Sequence, residues 1–510
     1  MKLIDGKALL LKLRDPKRVT DMIPNCKKVN KQEILVNLGI DEAHTLRSLG
    51  INAPSPIQTQ YNWTGELSPF AHQKTTAAFL TLHRRAFCFN EQGTGKTASA
   101  IWAADYLMNK GYIKRVLVIC PLSIMQSAWG EDLATFAPHR TFSVLHGTPK
   151  QRRAELTSGS DFAIINYDGV KTIEEELTDE FDLIIVDEAT HYKNVRTTRW
   201  KTLRGLMDPD TWLWMMTGTP AAQSPEDAYG LAKLVNENGV PQFFSAWKSK
   251  LMVQISQFQW QARPEAPTIV FDALQPAVRF TKEECLDLPP MVYVKRRVPL
   301  TRQQIKYYEL LKKQLVMKIR GSEITGANAA IVMNKLLQIS AGAVYSDDGS
   351  TLVFDIDHRY KVLKEVVDES SQKILIFVPF KHAIDVLTAK LRADGVTTEV
   401  IRGDVSASKR TDIFKQFQTT PNPRVLVIQP QSAAHGVTLT AANTVVWWGP
   451  TSSLETYLQA NARVHRSGQT HKCTVVQLHG SVVEKRMYSL LDKRINVHSK
   501  IIDLYKELLD

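Results

Sequence analysis

The chain has 510 residues, a formal net charge of +12 at pH 7 and a hydrophobic content of 44%. This length exceeds what one hydrophobic core usually supports, so we expect two large domains. No run approaches the ~18 apolar residues of a membrane span, and the first residues are too charged for a signal peptide. The five cysteines are scattered without a Cys-x-x-Cys pair, which indicates neither a disulfide framework nor a zinc site and predicts a reducing, cytoplasmic location.

Residues 1–60 are predicted to form a basic accessory region, a hairpin plus a helix. Residues 1–34 contain nine Lys or Arg against four Asp or Glu. The apolar runs Ala8–Arg14 and Val19–Ile23 predict two strands, because an Asp-Pro turn separates them. The apolar spacing of Ile34–Leu49 predicts a helix. The excess positive charge has two interpretations, an ordinary solvated surface or a site for a phosphate backbone.

Residues 61–265 alternate short, continuous apolar runs with helical stretches. Each run is typical of a strand buried on both faces of a parallel sheet, which predicts a doubly wound α/β domain. The predicted strands are Phe87–Phe89, Val116–Cys120, Phe162–Ile165, Leu183–Val186 and Trp212–Met216. Residues 266–300 are rich in proline and are predicted to connect this domain to the next.

Residues 301–488 repeat the pattern, so the fold class is α/β with two such domains in tandem. Thr301 is predicted to cap a helix, and Gly321–Asn328 is predicted to be a loop. A terminal helix is expected at 489–510, at the end of a helical tail that starts at Val482. The predicted strands are Ile374–Val378, Thr398–Ile401, Val425–Ile428, Thr444–Trp448 and Val475–Leu478.

A glycine-rich segment, Asn90-Glu-Gln-Gly-Thr-Gly-Lys-Thr97, lies between a predicted strand and a predicted helix. Gly93 and Gly95 let backbone N–H groups approach phosphate oxygens, and the helix N-terminus favours an anion. Lys96 is predicted to reach the terminal phosphates of ATP and Thr97 to bind Mg²⁺. The pattern usually begins with glycine, and this chain departs from it with Asn90. A plain turn is the alternative interpretation of the segment.

Two carboxylates, Asp187 and Glu188, follow the strand Leu183–Val186. The carboxyl ends of parallel strands are where open α/β sheets bind ligands. We therefore expect Asp187 to hold Mg²⁺ and Glu188 to orient or deprotonate the attacking water. Taken alone, such a pair is more often part of an exposed loop.

Several residues further from the loop are predicted to join the site. Thr217-Gly-Thr-Pro220 leaves a strand and has hydroxyls suited to coupling the phosphate site to the other domain, and Gln73 has an amide suited to an adenine edge. Arg463 and Arg466 lie three residues apart, so on a helix they share a face and present two cations to a γ-phosphate. The alternative interpretations are a plain turn for Thr217–Pro220, a surface side chain for Gln73 and an exposed basic helix for the two arginines.

In this order, these segments resemble those of the Swi/Snf-like ATPases of helicase superfamily two, most of all the compact bacteriophage and bacterial members. The resemblance covers roughly residues 66–490. It rests on the phosphate loop, Asp187-Glu-Ala-Thr-His-Tyr-Lys-Asn194, Thr217-Gly-Thr-Pro220, Leu288-Pro-Pro290, Gly436-Val-Thr-Leu-Thr-Ala-Ala442 and Gln459-Ala-Asn-Ala-Arg-Val-His-Arg-Ser-Gly-Gln469.

The resemblance implies two RecA-like domains and a DNA translocase that hydrolyses ATP with Mg²⁺. Nucleotide contacts are then expected from Gln73, Gly93, Thr94, Gly95, Lys96 and Thr97. The expected catalytic residues are Lys96, Asp187, Glu188, Arg463 and Arg466, the arginines acting from the second domain. Coupling is expected from Thr217, Gly218, Thr219, Gly436 and Gln459. Contacts to DNA are expected from Ser123, Lys193, Asn194, Arg402 and Gly403.

Three hypotheses about function remain open at this stage. The first is a monomeric DNA-dependent ATPase that moves on duplex or branched DNA in replication, recombination or repair, in a bacterial or phage-infected cell. The second is an ATPase that remodels RNA polymerase, with a transcription protein as partner. The third is a nucleotide-gated DNA-binding module without hydrolysis. Trp447 and Trp448, which end an apolar strand, are expected in the core more than on stacked bases.

Overall fold

The computed structural model describes residues 1–218, 220, 224–256, 259–285, 288–319, 326–345, 351–433, 437–466 and 468–493. The chain divides into two compact units. The first contains Met1–Ala221 and Pro225–Cys285, and the second contains Ala222–Ser224 and Leu286–Asp510. In the described ranges, no helix has both the length and the apolar character needed to cross a membrane.

The first unit begins with a four-stranded antiparallel sheet of order β1-β2-β4-β3. Leu9 and Leu11 of one central strand and Ile34 and Val36 of the other point to the same side, where they form a small core with the helix that follows. The elements are β1 Lys2–Ile4, β2 Ala8–Lys12, α1 Lys17–Thr20, β3 Lys27–Lys28, β4 Glu33–Asn37 and α2 Ile40–Ser48.

Two predictions for this region are wrong. The segment after Pro16 is a helical turn and not a strand, because Pro16 has a helical φ of −66° and Asp15 accepts a hydrogen bond from the N–H of Lys17 at 3.0 Å. The predicted helix from Ile34 begins only at Ile40. Residues 33–37 alternate between buried and more exposed side chains, which is the period of a strand.

The main part of the first unit is a seven-stranded sheet of order β13-β5-β10-β9-β6-β8-β7, in which all pairs are parallel. Its strands are β5 Arg85–Cys88, β6 Val116–Cys120, β7 Phe142–Leu145, β8 Phe162–Asn166, β9 Leu183–Asp187, β10 Trp212–Met216 and β13 Ala277–Val278. A separate hairpin consists of β11 Met252–Ser256 and β12 Gln259–Ala262.

Helices cover both faces of this sheet, so alternate residues of each strand enter two different cores. This explains why the strands read as continuous apolar runs. The helices are α3 Ile57–Gln60, α4 Ala71–Thr81, α5 Lys96–Asn109, α6 Glu131–Phe136, α7 Pro149–Leu156, α8 Tyr167–Thr172, α9 Glu174–Leu177, α10 Thr198–Gly205, α11 Ala228–Val235, α12 Phe244–Leu251, α13 Ala266–Ala273 and α14 Lys282–Cys285. Single 3₁₀ turns lie at Leu122–Ile124, Ala189–Tyr192, Pro225–Asp227 and Glu237–Gly239, and a π-helix at Met125–Gly130.

The proline-rich segment 266–300 is not a connection throughout, which corrects the prediction. Ala266 and Ala273 of α13 are buried in the core of the first unit, and β13 pairs with β5. The prolines stand where elements begin: Pro267 lies in the first turn of α13. There its missing N–H removes no helical hydrogen bond.

The second unit has a six-stranded sheet of order β14-β21-β20-β17-β19-β18, again with parallel pairs throughout. The strands are β14 Met291–Arg297, β15 Ala343–Tyr345, β16 Thr351–Val353, β17 Lys373–Phe377, β18 Thr398–Ile401, β19 Val425–Ile428, β20 Ala442–Trp447 and β21 Cys473–His479, of which β15 and β16 form a separate hairpin. The helices are α15 Arg302–Ile319, α16 Gly326–Ala341, α17 Asp357–Glu369, α18 Lys381–Ala393, α19 Ala407–Thr419, α20 Leu454–Asn461 and α21 Val482–Asp492, with a 3₁₀ turn at Pro430–Ala433. The predicted α/β class with two tandem parallel-sheet domains is confirmed.

Local predictions for this unit have mixed outcomes. Thr301 caps α15, because its hydroxyl accepts from the N–H of Gln304 at 3.2 Å. Trp447 and Trp448 are fully buried in the cores on opposite faces of the sheet. The predicted loop 321–328 is wrong for its last three residues, which begin α16, and its remainder lies outside the described residues. The terminal helix is described only as the end of α21, since residues 494–510 lie outside the described part.

Candidate active site

The glycine-rich loop connects β5 to α5 at the carboxyl end of the central strands. Gly93 and Gly95 have φ angles of 85° and 80°, a left-handed conformation that glycine adopts without strain. The Lys96 ammonium group donates to the carbonyl of Asn90 at 2.9 Å. A cation and the N–H groups that open α5 therefore lie together, which is the environment that a phosphate requires.

Asn90, the departure from the usual glycine, has a structural role. Its side chain is fully buried, its amide NH₂ donates to Thr76 Oγ1 at 2.8 Å, and its Oδ1 accepts from the N–H of Phe280 at 3.0 Å. The start of the loop is thus tied to α4 and to the chain just after β13. Asparagine instead of glycine at position 90 does not alter the backbone carbonyl of this residue, which accepts the hydrogen bond from Lys96.

Gln73 contacts the loop from α4. Its Oε1 accepts from the N–H of Phe70 at 2.9 Å, and its Nε2 lies 3.4 Å from the carbonyl of Thr94. A Cβ atom at Gly95 would meet the end of the flexible Gln73 side chain, and it is the φ of 80° that favours glycine at this position. Gln73 therefore supports the loop directly, and its reading of adenine stays a prediction.

Asp187 ends β9, and in the sheet only β10 separates β9 from β5. The side chain is buried, and its Oδ1 accepts from the N–H of Glu188 at 3.0 Å. Burial raises the pKa of Asp187, while the nearby positive charge of Lys96 opposes that rise. The loop that ends in Lys96 and the carboxylate of Asp187 therefore lie at the carboxyl ends of strands of one sheet, close enough for their charges to interact.

Glu188 has an unusual backbone conformation, with φ 48° and ψ 56°. A non-glycine residue rarely adopts the left-handed region, and such residues cluster at functional sites. The turn is held on its far side, where the N–H of His191 donates to the carbonyl of Glu188 at 3.3 Å. The chain therefore turns away from the direction of β9 at Glu188, directly after Asp187.

Two aromatic residues that were not predicted also hold Asp187. The indole N–H of Trp129 donates to Asp187 Oδ2 at 3.0 Å, and the hydroxyl of Tyr167 donates to the Asp187 carbonyl at 2.7 Å. Trp129 is fully buried and comes from the π-helix, a form often found at functional sites. Tyr167 directly follows β8, and this position after a buried strand was the one feature of the sequence that could have indicated a site residue.

The predicted coupling segment also lies beside the loop. The N–H of Thr217 donates to the carbonyl of Cys88 at 3.0 Å, and a Cβ atom at Gly218 would be 3.6 Å from the carbonyl of Asn90. Thr219 lies outside the described residues. The structure therefore places β10 and its exit in contact with β5 and the first residue of the loop.

The predicted DNA contacts of the first unit lie at the surface or in turns. Lys193 forms an ion pair with Asp227 at 3.1 Å, and the Asn194 side chain accepts from the N–H of Arg196 at 2.9 Å. Both side chains therefore also stabilise the turn that follows Glu188. The side chain of Ser123, in the 3₁₀ turn before the π-helix, lies outside the described residues.

Arg463 and Arg466 do not share a helix face, which corrects the prediction. Helix α20 ends at Asn461, and the turn beyond it is held by Gln469, whose Nε2 donates to the carbonyl of Val464 at 2.9 Å. Arg463 is buried and donates to the carbonyl of Val437 at 3.3 Å. Arg466 is half-buried in the same turn.

The remaining predicted residues of the second unit are held by neighbours within that unit. Gln459 is buried and donates to Glu455 at 3.1 Å. Arg402 forms ion pairs with Asp385 and Asp404 at 2.6 and 2.9 Å. The N–H of Gly403 donates to the side-chain oxygen of Gln429 at 3.4 Å. Gly436 lies outside the described residues.

Comparisons with known proteins agree with the motifs. Residues 72–341 match the SNF2-related domain and residues 358–468 the helicase conserved C-terminal domain. Putative protein p41 of Acyrthosiphon pisum secondary endosymbiont phage 1 is 26% identical over 87% of the chain and 98% of its own length. The human DNA annealing helicase and endonuclease ZRANB3 is 25% identical over 87% of the chain, which spans 41% of that protein.

Among solved structures, the Sulfolobus solfataricus SWI2/SNF2 ATPase core in complex with dsDNA is 23% identical, with a TM-score of 0.42, over 88% of this chain and 97% of that one. The SNF2-related match alone covers more than half of the 510 residues. The chain therefore belongs to the SNF2-related family of helicase superfamily two.

Proposed function

We propose that the chain is an ATP-dependent translocase that moves on duplex or branched DNA. The observation that carries this proposal is that the glycine-rich loop with Lys96 and the buried carboxylate of Asp187 lie at the ends of two strands that flank β10 and end at the same side of one parallel sheet. The same chain has a second parallel-sheet unit that contains Arg463 and Arg466. A motor of this type hydrolyses ATP with groups from both domains and uses the resulting domain movement.

The described residues fit a magnesium-bound nucleotide. The left-handed glycines, the first N–H groups of α5 and the Lys96 ammonium group suit phosphate oxygens. The Thr97 hydroxyl and the Asp187 carboxylate are oxygen ligands of the kind that Mg²⁺ prefers. ATP bound there supplies the phosphoanhydride bond whose hydrolysis releases the free energy for movement.

Each residue then has a defined task. Lys96 binds the terminal phosphates, and Asp187 holds the metal ion. Glu188 orients the attacking water and accepts its proton, and Arg466 neutralises the negative charge that develops during hydrolysis. Gln73 keeps the loop in its binding conformation through the contact with Thr94.

DNA is the proposed track because the relatives are named for acting on it. These relatives include the DNA annealing helicase ZRANB3 and a chromodomain-helicase-DNA-binding protein. The net charge of +12 suits a polyanion. We further propose a monomer in the cytoplasm of a bacterial or phage-infected cell, with a replication, recombination or transcription protein as partner. The high coverage of the phage protein supports that setting.

The deciding experiment measures ATP turnover with single-stranded, duplex, forked and four-way DNA, and with RNA as a control. We expect low turnover alone and a large increase with duplex or forked DNA. Lys96→Ala should abolish turnover, whereas Lys110→Ala, which changes an exposed lysine at the end of the same helix, should retain it.

Other outcomes identify the competing functions. Turnover that no nucleic acid changes would contradict the proposal. A response to RNA polymerase without a response to naked DNA would favour a polymerase-remodelling ATPase. DNA-dependent function that survives Lys96→Ala would indicate a nucleotide-gated binding module.

A further inference from the structure

The N-terminal antiparallel sheet carries a surface of unpaired positive charge. Each of the nine lysines and arginines in residues 1–34 is exposed. None of them forms an ion pair with a residue that the structure describes. They are Lys2, Lys7, Lys12, Arg14, Lys17, Arg18, Lys27, Lys28 and Lys31. A surface that only kept the protein soluble would not require this excess of one sign.

Strand register places several of these cations on the outer face of the sheet. Leu9 and Leu11 face the core, so Leu10 and Lys12 face the opposite side. Lys2 is paired with Leu10 across β1 and β2, and Lys27 is paired with the neighbouring β4 strand. Four strands spaced by about 4.8 Å separate the Lys2 and Lys27 backbones by roughly 14 Å. This is close to the ~12 Å width of the DNA major groove, so the two edges can reach phosphates on both of its sides.

The composition of the sheet distinguishes between kinds of nucleic acid. Residues 1–60 contain no Phe, Tyr or Trp. Proteins that hold single strands without sequence preference use aromatic side chains on which bases stack. The lysines on this face surround half-buried leucines, and Glu33 lies opposite Lys12, so the face offers net positive charge without stacking, which suits the regular phosphates of a duplex.

The sheet is fixed to the body of the first unit. The side chain of Gln60 donates to the carbonyl of Leu38 at 2.6 Å, and Thr59 donates to the carbonyl of Gly6 at 2.8 Å. Leu82, which directly follows α4, is part of the core of the sheet. A duplex held on the sheet is therefore held to the unit that contains Lys96 and Asp187.

We propose that the outer face of this sheet is a second DNA-binding surface, which contacts the phosphate backbone of duplex DNA without reading its sequence. The proposal rests on the proposed function, because it assumes that the chain acts on DNA. It adds a contact outside residues 72–341 and 358–468, the parts that match the two family domains. The contact keeps the first unit on the duplex when the motor contacts are released.

The test replaces three lysines of the sheet in the full chain, Lys2→Gln, Lys12→Gln and Lys27→Gln together. The matched control replaces three exposed lysines of the same unit, Lys150→Gln, Lys201→Gln and Lys250→Gln. Affinity for a 30-base-pair duplex is measured without nucleotide between about 50 and 200 mM salt, the range over which phosphate contacts change affinity most visibly. Circular dichroism and thermal unfolding verify that both variants are folded.

We expect the sheet variant to lose at least about tenfold in duplex affinity and to reduce the salt slope by about 2 to 3, since each neutralised phosphate contributes about 0.9. The control should stay within about twofold of the unmodified chain. Equal affinity and slope in all three proteins would overturn the proposal while DNA-stimulated turnover still supported the proposed function. A larger loss for single-stranded than for duplex DNA would overturn the choice of duplex. Absence of DNA-stimulated turnover in the unmodified chain would instead reject the proposed function itself.

Discussion

Asn90 provides the sharpest test of the structural account of the phosphate loop. Its side chain makes a buried hydrogen bond to Thr76 at 2.8 Å and accepts a partly buried one from the Phe280 N–H at 3.0 Å. Replacing Asn90 by Ala removes both and leaves the Phe280 N–H without its acceptor. Replacing it by Gly, the usual residue at this position, does the same and also makes the unfolded chain more flexible.

The expected loss of stability follows from these contacts. The two hydrogen bonds contribute about 1 kcal/mol each, and the Phe280 N–H, which is only partly buried, costs about 1 kcal/mol or less when it loses its partner. We therefore expect Asn90→Ala to destabilise the first unit by about 2–3 kcal/mol. Asn90→Gly should lose a further 0.5–1 kcal/mol or so from the added freedom of the unfolded chain. For a unit of this size, 1 kcal/mol corresponds to about 2–4 °C in the unfolding midpoint.

The assay is thermal unfolding followed by tryptophan fluorescence and calorimetry, with ATP turnover measured well below the transition. Turnover should change little, because Lys96 is held by the backbone carbonyl of Asn90, which both substitutions retain. The control is Asn37→Ala, at an exposed strand residue, which should leave the midpoint unchanged. A midpoint for Asn90→Ala within about 1 °C of the unmodified chain would refute the structural role of this side chain. A selective loss of turnover would instead assign Asn90 to the nucleotide.

Three further substitutions separate chemistry from support. Arg466→Ala should leave ATP binding largely intact and lower DNA-stimulated turnover about a thousandfold or more; equal loss of binding and turnover would mean that Arg466 holds the fold or the nucleotide. Arg463→Ala should instead destabilise the second unit by about 1.5–3 kcal/mol, because it removes a buried charged donor from the Val437 carbonyl, and an unchanged unfolding midpoint would contradict this. Trp129→Phe should lower turnover by roughly ten- to a hundredfold, since a hydrogen bond to a charged group contributes about 1.5–3 kcal/mol. The Mg²⁺ concentration that this variant needs for half-maximal turnover should also rise. A purely structural role of Trp129 would lower the unfolding midpoint and leave the Mg²⁺ titration unchanged.

Burial determines how much of the fold could be read from the sequence. The strand predicted at Trp212–Met216 was placed correctly, because a strand covered on both faces is a continuous apolar run. Strand β7 was not predicted, and β14 fell inside the predicted connection. Both lie at sheet edges, where Phe142–Leu145 contains a serine and Met291–Arg297 is half-exposed. These two edge strands lack the apolar continuity that identified the central ones.

The candidate site likewise has a part that could be predicted from local sequence patterns and a part that depends on contacts between distant residues. The placement of Lys96 and Asp187 after strands of one sheet could be predicted, because each belongs to a segment with a local pattern: glycines with a lysine, or a carboxylate after a buried strand. Trp129 and Tyr167 could not, since their bonds to Asp187 span 58 and 20 residues and depend on how neighbouring strands meet. Helical spacing also misplaced the paired arginines, because a glutamine five residues past Val464 holds the chain in a turn where the pattern alone allows a helix.

Hydrogen bonds tie the turn that contains Arg466 to the stretch before β20. The N–H of Leu439 donates to the carbonyl of Arg463 at 3.0 Å, and the Arg463 side chain donates back to Val437. The Gln469 side chain donates to the carbonyls of both Ala442 and Val464 at 2.9 Å. Because these bonds cross between the two segments in both directions, the stretch before β20 and the turn that contains Arg466 are joined within one unit. Arg463 and Gln469 make these bonds, so replacing Arg466 leaves the connection between the two segments intact, whereas replacing Arg463 removes the side-chain bond to Val437.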